Sequence, residues 1–329
     1  MLLNKTDIVS ALAAIEGSAK VFVPGELGDV TRFILWDGKS DVDISGDNTT
    51  LPPKDILFPQ TQKMYAYKTG ADTKIKELSD DAKQIVFGIR PCDMASIARM
   101  DQLFFEKDYR DGFYARMREN AIFIAVACAN PCQTCFCDSV GLDPNTAPGA
   151  DVLLIEAGNS YGVTAQTDKG KEVMELWKGL LKKGDAKPGK AVCSLKANLT
   201  EDLPAKLMGV FENPIWDEVT KPCIGCATCT YVCPTCYCFD INSETRGKEG
   251  VSFRCWDSCM FSDYTLMAGG HNPRPSKKER LRNRYMHKLS YFKERHDTSL
   301  CVGCGRCIKK CPAHLDITEF IDKAAEVTV

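Results

Sequence analysis

Cys223-Ile224-Gly225-Cys226-Ala227-Thr228-Cys229-Thr230-Tyr231-Val232-Cys233-Pro234 and Cys301-Val302-Gly303-Cys304-Gly305-Arg306-Cys307-Ile308-Lys309-Lys310-Cys311-Pro312 carry one spacing twice, C-x2-C-x2-C-x3-C-P. Three closely spaced thiolates suit three corners of a 4Fe–4S cube, and the fourth cysteine, just before proline, reaches across to a second cube. Each copy therefore completes the other. Cys223, Cys226, Cys229 and Cys311 are expected to hold one cluster, and Cys301, Cys304, Cys307 and Cys233 the other. Structural zinc also uses C-x2-C pairs, but a tetrahedral site gains nothing from a third cysteine in register. A disulfide framework belongs to small secreted domains short of a core, whereas 329 residues with 44% hydrophobic content can build one. The thiols read as reduced metal ligands.

Working outward, residues 220–329 read as an α+β bacterial-ferredoxin-like dicluster domain whose two motifs are separated by a long insertion at 234–300. Residues 1–219 have a different character. Apolar runs at 84–89, 121–127 and 152–155 read as strands buried on both faces of an α/β sheet. Between the first two, 93–100 has helical spacing, so a βαβ unit follows. VFVPGELGDVTRFILWDG and LPPKDILFPQTQKMYAY read as antiparallel strands and loops. Lys171–Lys183 reads as an amphipathic helix ended by Gly184. MLLNKTDIVSALAAIEGSAK has acids within its apolar stretch and no basic segment before it, so it reads as an amphipathic helix and not a signal peptide. No apolar run approaches the roughly eighteen residues of a membrane span, and the chain is expected to be cytoplasmic.

The formal net charge of −2 argues against general affinity for nucleic acid. The charge is uneven, since residues 271–311 hold twelve lysines and arginines against Glu279, Glu294 and Asp297. Such a run reads as a solvated face, as a docking face for an acidic partner, or as compensation beside anionic clusters.

Ten of the eighteen cysteines lie outside the paired motifs. Cys92 follows Arg90-Pro91 at a strand-to-helix turn, where helix amides favour a thiolate. Cys128 ends the next strand, and α/β sheets place their sites at such carboxyl ends. The loop 130–138 adds Cys132, Cys135 and Cys137. Cys92, Cys128, Cys135 and Cys137 are expected to hold a third cluster, with Cys132 as substitute ligand and zinc as the alternative. Cys236, Cys238, Cys255 and Cys259 form a further set, in which Cys255 and Cys259 share a face if their segment is helical. It reads as a fourth cluster, a zinc site, or thiols beside the first cubes. Cys193 stands alone and reads as a small buried hydrophobe. His271, His287, His296 and His314 show no metal-ligand spacing. No dinucleotide fingerprint, P-loop or hydrolase motif is present, so no catalytic residue is assigned.

FGIRPCDM (87–94), CFCDSVG (135–141), CPTCYCFDI (233–241), RCWDSC (254–259) and AGGHNPRPSKKERLRNRYMHK (268–288), followed by CVGCGRC, resemble the beta subunit of soluble sulfhydrogenases and the related iron–sulfur electron-transfer subunit of anaerobic sulfite reductase. That resemblance covers nearly the whole chain. It implies several 4Fe–4S clusters in a hetero-oligomeric complex, passing electrons between a flavoprotein subunit that handles NAD(P)H and a separate catalytic subunit. A low-potential pair near about −400 mV would suit exchange with NAD(P)H or ferredoxin. An electron-bifurcating transhydrogenase, a self-contained metalloenzyme using the N-terminal cysteines, and a redox sensor are the other readings.

Overall fold

The computed structural model describes residues 1–17 and 19–327. Ser18, inside the stretch read as an N-terminal helix, and Thr328 and Val329, at the end of the second unit, lie outside the described residues. The strands are β1 (Leu2–Asn4), β2 (Lys20–Leu27), β3 (Val30–Leu35), β4 (Thr61–Lys68), β5 (Lys74–Glu77), β6 (Gln84–Ile89), β7 (Ala121–Val126), β8 (Val152–Ala157), β9 (Ser160–Ala165), β10 (Phe239–Arg246) and β11 (Glu249–Trp256). A seven-stranded sheet runs β1-β9-β8-β7-β6-β2-β3. Its centre is parallel, β2 to β6 to β7 to β8, and its two edges are closed by antiparallel neighbours.

The continuous apolar runs have their cause in this centre. Along β6 and β7, Ile85, Phe87, Ile124 and Val126 face one core, which holds Ile8, Leu12 and Ile15 of the helix Ile8–Glu16. Val86, Ile89, Phe123 and Ala125 face the other, with Met94, Ile97 and Phe104 of the helix Pro91–Phe104. Burial on both faces removes the polar alternation of a half-exposed strand.

The expected helix Lys171–Lys183 forms as Asp168–Leu176 instead. It starts early because the Thr167 hydroxyl caps the Gly170 amide. It stops early because Lys182 pairs with Leu2 at the sheet edge, Leu2 N–H donating to Lys182 O at 2.8 Å.

Residues 234–300 contribute a hairpin as well as helices. β10 and β11 pair in full register around Gly247-Lys248, with Gly247 at φ +62°, and β11 then pairs with β4 to give a second sheet, β10-β11-β4-β5. The strands of the C-terminal part therefore join residues 61–77 of the N-terminal part. The cysteine motifs themselves sit in loops and short helices. Both motifs repeat one backbone course, with Gly225 and Gly303 at positive φ and Ala227 and Gly305 left-handed ahead of the helices Thr228–Tyr231 and Arg306–Lys309.

Gly88 breaks the β6–β7 register immediately before Arg90-Pro91-Cys92. Its φ is +82°, and a Cβ there would stand 2.5 Å from Ile44 Cγ2 and 3.2 Å from Pro24 Cγ. Gly141 has φ +78° but open space around it. Gly88→Ala should therefore lose roughly 2–4 kcal/mol in urea denaturation, combining backbone strain with overpacking, against about 1 kcal/mol for Gly141→Ala. Equal losses would show that the bulge does not require glycine.

Candidate metal centres

The thiols of the two motifs converge in two cavities. The first is lined by Cys223, Cys226, Cys229 and Cys311, together with Cys307, Arg284 and Tyr285. The second is lined by Cys301, Cys304, Cys307 and Cys233, with Arg284, Lys288 and Phe136. The last cysteine of each motif thus faces the other motif's cavity, and Cys307 borders both.

Buried cations line both cavities. Arg284 and Lys288 are each 3% exposed. Arg284 donates to the Cys229 carbonyl at 3.1 Å and Lys288 Nζ to Thr235 Oγ1 at 2.7 Å. Burial works against the charge on Lys288, yet Cys233 and Cys236 beside it hold its pKa above the usual lysine range. Burial pushes the Cys229 and Cys301 thiols up to about 11 and Cys304 up to about 12, with Arg284 opposing it at Cys229, Lys288 at Cys301 and Arg306 at Cys304. Free thiols at Cys229, Cys301 and Cys304 keep their protons near neutral pH, so metal binding there would release them. Arg284 and Lys288 come from the basic stretch 271–311, and Arg306 of that stretch is also buried. Other members are engaged with the chain: Lys277 with Cys223 O, Arg280 with Arg274 O, and Arg282 with Phe211 O.

The third group forms where β6 and β7 end side by side. Cys92 and Cys128 lie at those adjacent carboxyl ends, and with Cys132, Cys135 and Cys137 they line one cavity that Cys304 also borders. Cys132 and Cys135 sulfurs are 2.7 Å apart, and this hydrogen bond lowers Cys132 to about 7. Burial and the neighbouring Asp93 carboxylate push the Cys92 pKa well up, against the pull of the helix N-terminus. Cys193 is buried as expected but does not stand alone. Its sulfur lies 3.5 Å from that of Cys137, and its N–H donates to Asp138 Oδ2 at 3.0 Å. No local pattern marks it, since the chain returns to this loop only through the tertiary fold.

This loop is pressed onto the second motif. Phe136 N–H donates to Gly303 O at 2.8 Å, and Asn48 Nδ2 donates to Cys304 O at 2.9 Å. A Cβ on Gly303 would come within 2.6 Å of Cys137 Cα, and one on Gly305 would overlap the Thr134 carbonyl. Below the contact, Arg306 makes a two-pronged ion pair with Asp93 at 2.7 and 2.9 Å, and donates to Thr49 O at 2.6 Å.

Cys236, Cys238, Cys255 and Cys259 do not gather at one point. Cys255 is in strand β11, opposite Asp240, so the helical relation to Cys259 does not arise. Cys236 is hydrogen-bonded to Cys233, and Cys238 to Cys259. Among the described residues, no three His, Cys, Asp or Glu side chains are grouped to hold a single metal ion. Of the histidines, His287 has its Nε2 2.8 Å from the Tyr237 hydroxyl, and burial pushes it down to about 4.

Two interlocked four-cysteine motifs around paired cavities define a 4Fe–4S dicluster protein, and residues 222–315 match the family model of the 4Fe–4S dicluster domain. That range includes the whole of 234–300. The chain belongs to the sulfhydrogenase beta-subunit family: sulfhydrogenase 2 subunit beta of Pyrococcus furiosus is 30% identical over 322 residues, 93% of this chain and 92% of that protein. No solved structure matches the chain. Among the described residues no helix is long and apolar enough to cross a membrane.

Asp93 and Arg306 side chains are 0% and 1% exposed. Asp93→Ala leaves a buried guanidinium without its counter-ion and should cost about 3–5 kcal/mol, while the double change Asp93→Leu with Arg306→Met should recover most of that. Urea denaturation of both variants checks this, and a mild single variant would contradict the ion pair as a structural requirement.

Proposed function

We propose that the chain is the electron-relay subunit of a cytoplasmic, hetero-oligomeric oxidoreductase, passing single electrons between a flavoprotein that handles NAD(P)H and a separate catalytic subunit. One cube is held by Cys223, Cys226, Cys229 and Cys311, and the next by Cys301, Cys304, Cys307 and Cys233. A third is held by Cys92, Cys128, Cys135 and Cys137, with Cys132 as substitute. The observation that carries this reading is the sharing of cysteines between neighbouring cavities. Cys307 borders the first and second, and Cys304 the second and third, so the three lie in series. When bound, such clusters each take one electron at low potential. The protein's own part is to limit access of water and to set buried cations, Arg284 and Lys288, against the sulfur-rich groups. A nicotinamide gives a hydride, so a flavin on a partner must split the pair.

The anaerobically purified chain should contain about twelve iron and about twelve acid-labile sulfide, from three four-iron cubes. Cys92→Ala combined with Cys132→Ala, which removes the substitute as well, should lower both to about eight. An unaltered content in that variant would remove the N-terminal centre from the relay, and a content near sixteen in the parent chain would add a fourth.

A further inference from the structure

Cys238 and Cys259 border none of the three cavities assigned to clusters. The hairpin brings them together. Cys238 immediately precedes β10 and Cys259 follows β11, the base pair of the ladder is Phe239 with Trp256, and Asp257 N–H donates to Cys238 O at 2.9 Å. The Cys238 sulfur lies in hydrogen-bonding reach of the Cys259 thiol and backbone N–H and of the Tyr264 hydroxyl. The two thiols are unequal, Cys259 being buried and Cys238 only partly so. Both open into a cavity of about 400 Å³. Arg274, Arg295 and His287 line it, and among the described residues no carboxylate does.

The pair also abuts the first cluster cavity. Met260, next to Cys259, lines that cavity, and Ser258 Oγ is 2.8 Å from Thr230 Oγ1, the neighbour of Cys229. We propose that Cys238 and Cys259 are a redox-active dithiol that reduces a small anionic disulfide held in this cavity. The partly exposed Cys238 thiolate attacks one sulfur of the substrate, forming a mixed disulfide and expelling the first thiolate. The Cys259 thiol then attacks Cys238 sulfur, giving the Cys238–Cys259 disulfide and releasing the second half as a thiol. Two electrons, delivered singly by the relay, and two protons restore the dithiol. The net change is one disulfide plus two electrons and two protons to two thiols. Only this return of electrons rests on the relay reading, which fails by iron content, whereas the thiol pair fails by thiol mapping.

The test uses the anaerobic holoprotein and oxidised glutathione, followed by alkylation and peptide mass spectrometry. The parent chain should yield a Cys238–Cys259 cross-linked peptide. Cys259→Ser should trap glutathione on Cys238, and Cys238→Ser should form neither product while keeping its full iron content. Arg274→Gln with Arg295→Gln should slow the reaction with oxidised glutathione at least about tenfold, and leave that with uncharged 2-hydroxyethyl disulfide unchanged. Iron loss in Cys238→Ser would make Cys238 a cluster ligand and overturn the proposal. So would free Cys238 and Cys259 thiols after oxidation in the parent chain.

Discussion

A buried ion pair joins the two parts of this chain that sequence composition sets apart, beside the pairing of β11 with β4. Asp93 belongs to the helix that starts at the end of β6, and Arg306 to the short helix inside the second cysteine motif. Removing both charges from water is costly, and their attraction offsets that cost only because the guanidinium meets the carboxylate at two points and a backbone carbonyl at a third. With that contact fixed, the loop 132–137 lies flat on Gly303 and Gly305. Side chains at either glycine would hold the loop away, and Cys304 could no longer border two sites at once.

The spacing of the two motifs is legible because ligand geometry is local: four cysteines and a proline lie within twelve residues. The crossing of Cys233 and Cys311 is an expectation from the same spacing; Cys311 borders the cavity of Cys223, Cys226 and Cys229, and Cys233 that of Cys301, Cys304 and Cys307. Strands 84–89 and 121–127 were legible from their length and unbroken apolar character. The hairpin 239–256 was overlooked beneath the dense cysteines, although Gly247-Lys248 between two polar-alternating runs is a turn signal. Cys193 carried no signal because its partner Cys137 is brought to it only by the fold. The basic stretch could be read three ways from sequence. Burial of Arg284 and Lys288 against the cysteines favours charge compensation for those two residues over a docking face, while Arg306 is paired with Asp93.

The arrangement reconciles two demands on an electron carrier. Low-potential clusters must be kept from water, and their negative charge must still be tolerated in a dry interior. Here Phe136, Leu281, Tyr285 and Ile317 form apolar walls of the cavities while buried Arg284 and Lys288 sit at their edges. Lys288 donates to Thr235 Oγ1, and the surrounding Cys233 and Cys236 sulfurs favour its charge.

The most direct test of the central claim, a series of neighbouring centres sharing bordering cysteines, is electron paramagnetic resonance of the fully reduced holoprotein. The account predicts a broadened spectrum of mutually coupled spins integrating to about three per chain, one for each cube, with the coupling lost for the terminal centre in Cys92→Ala combined with Cys132→Ala. Separate, uncoupled signals from the reduced parent chain would contradict it.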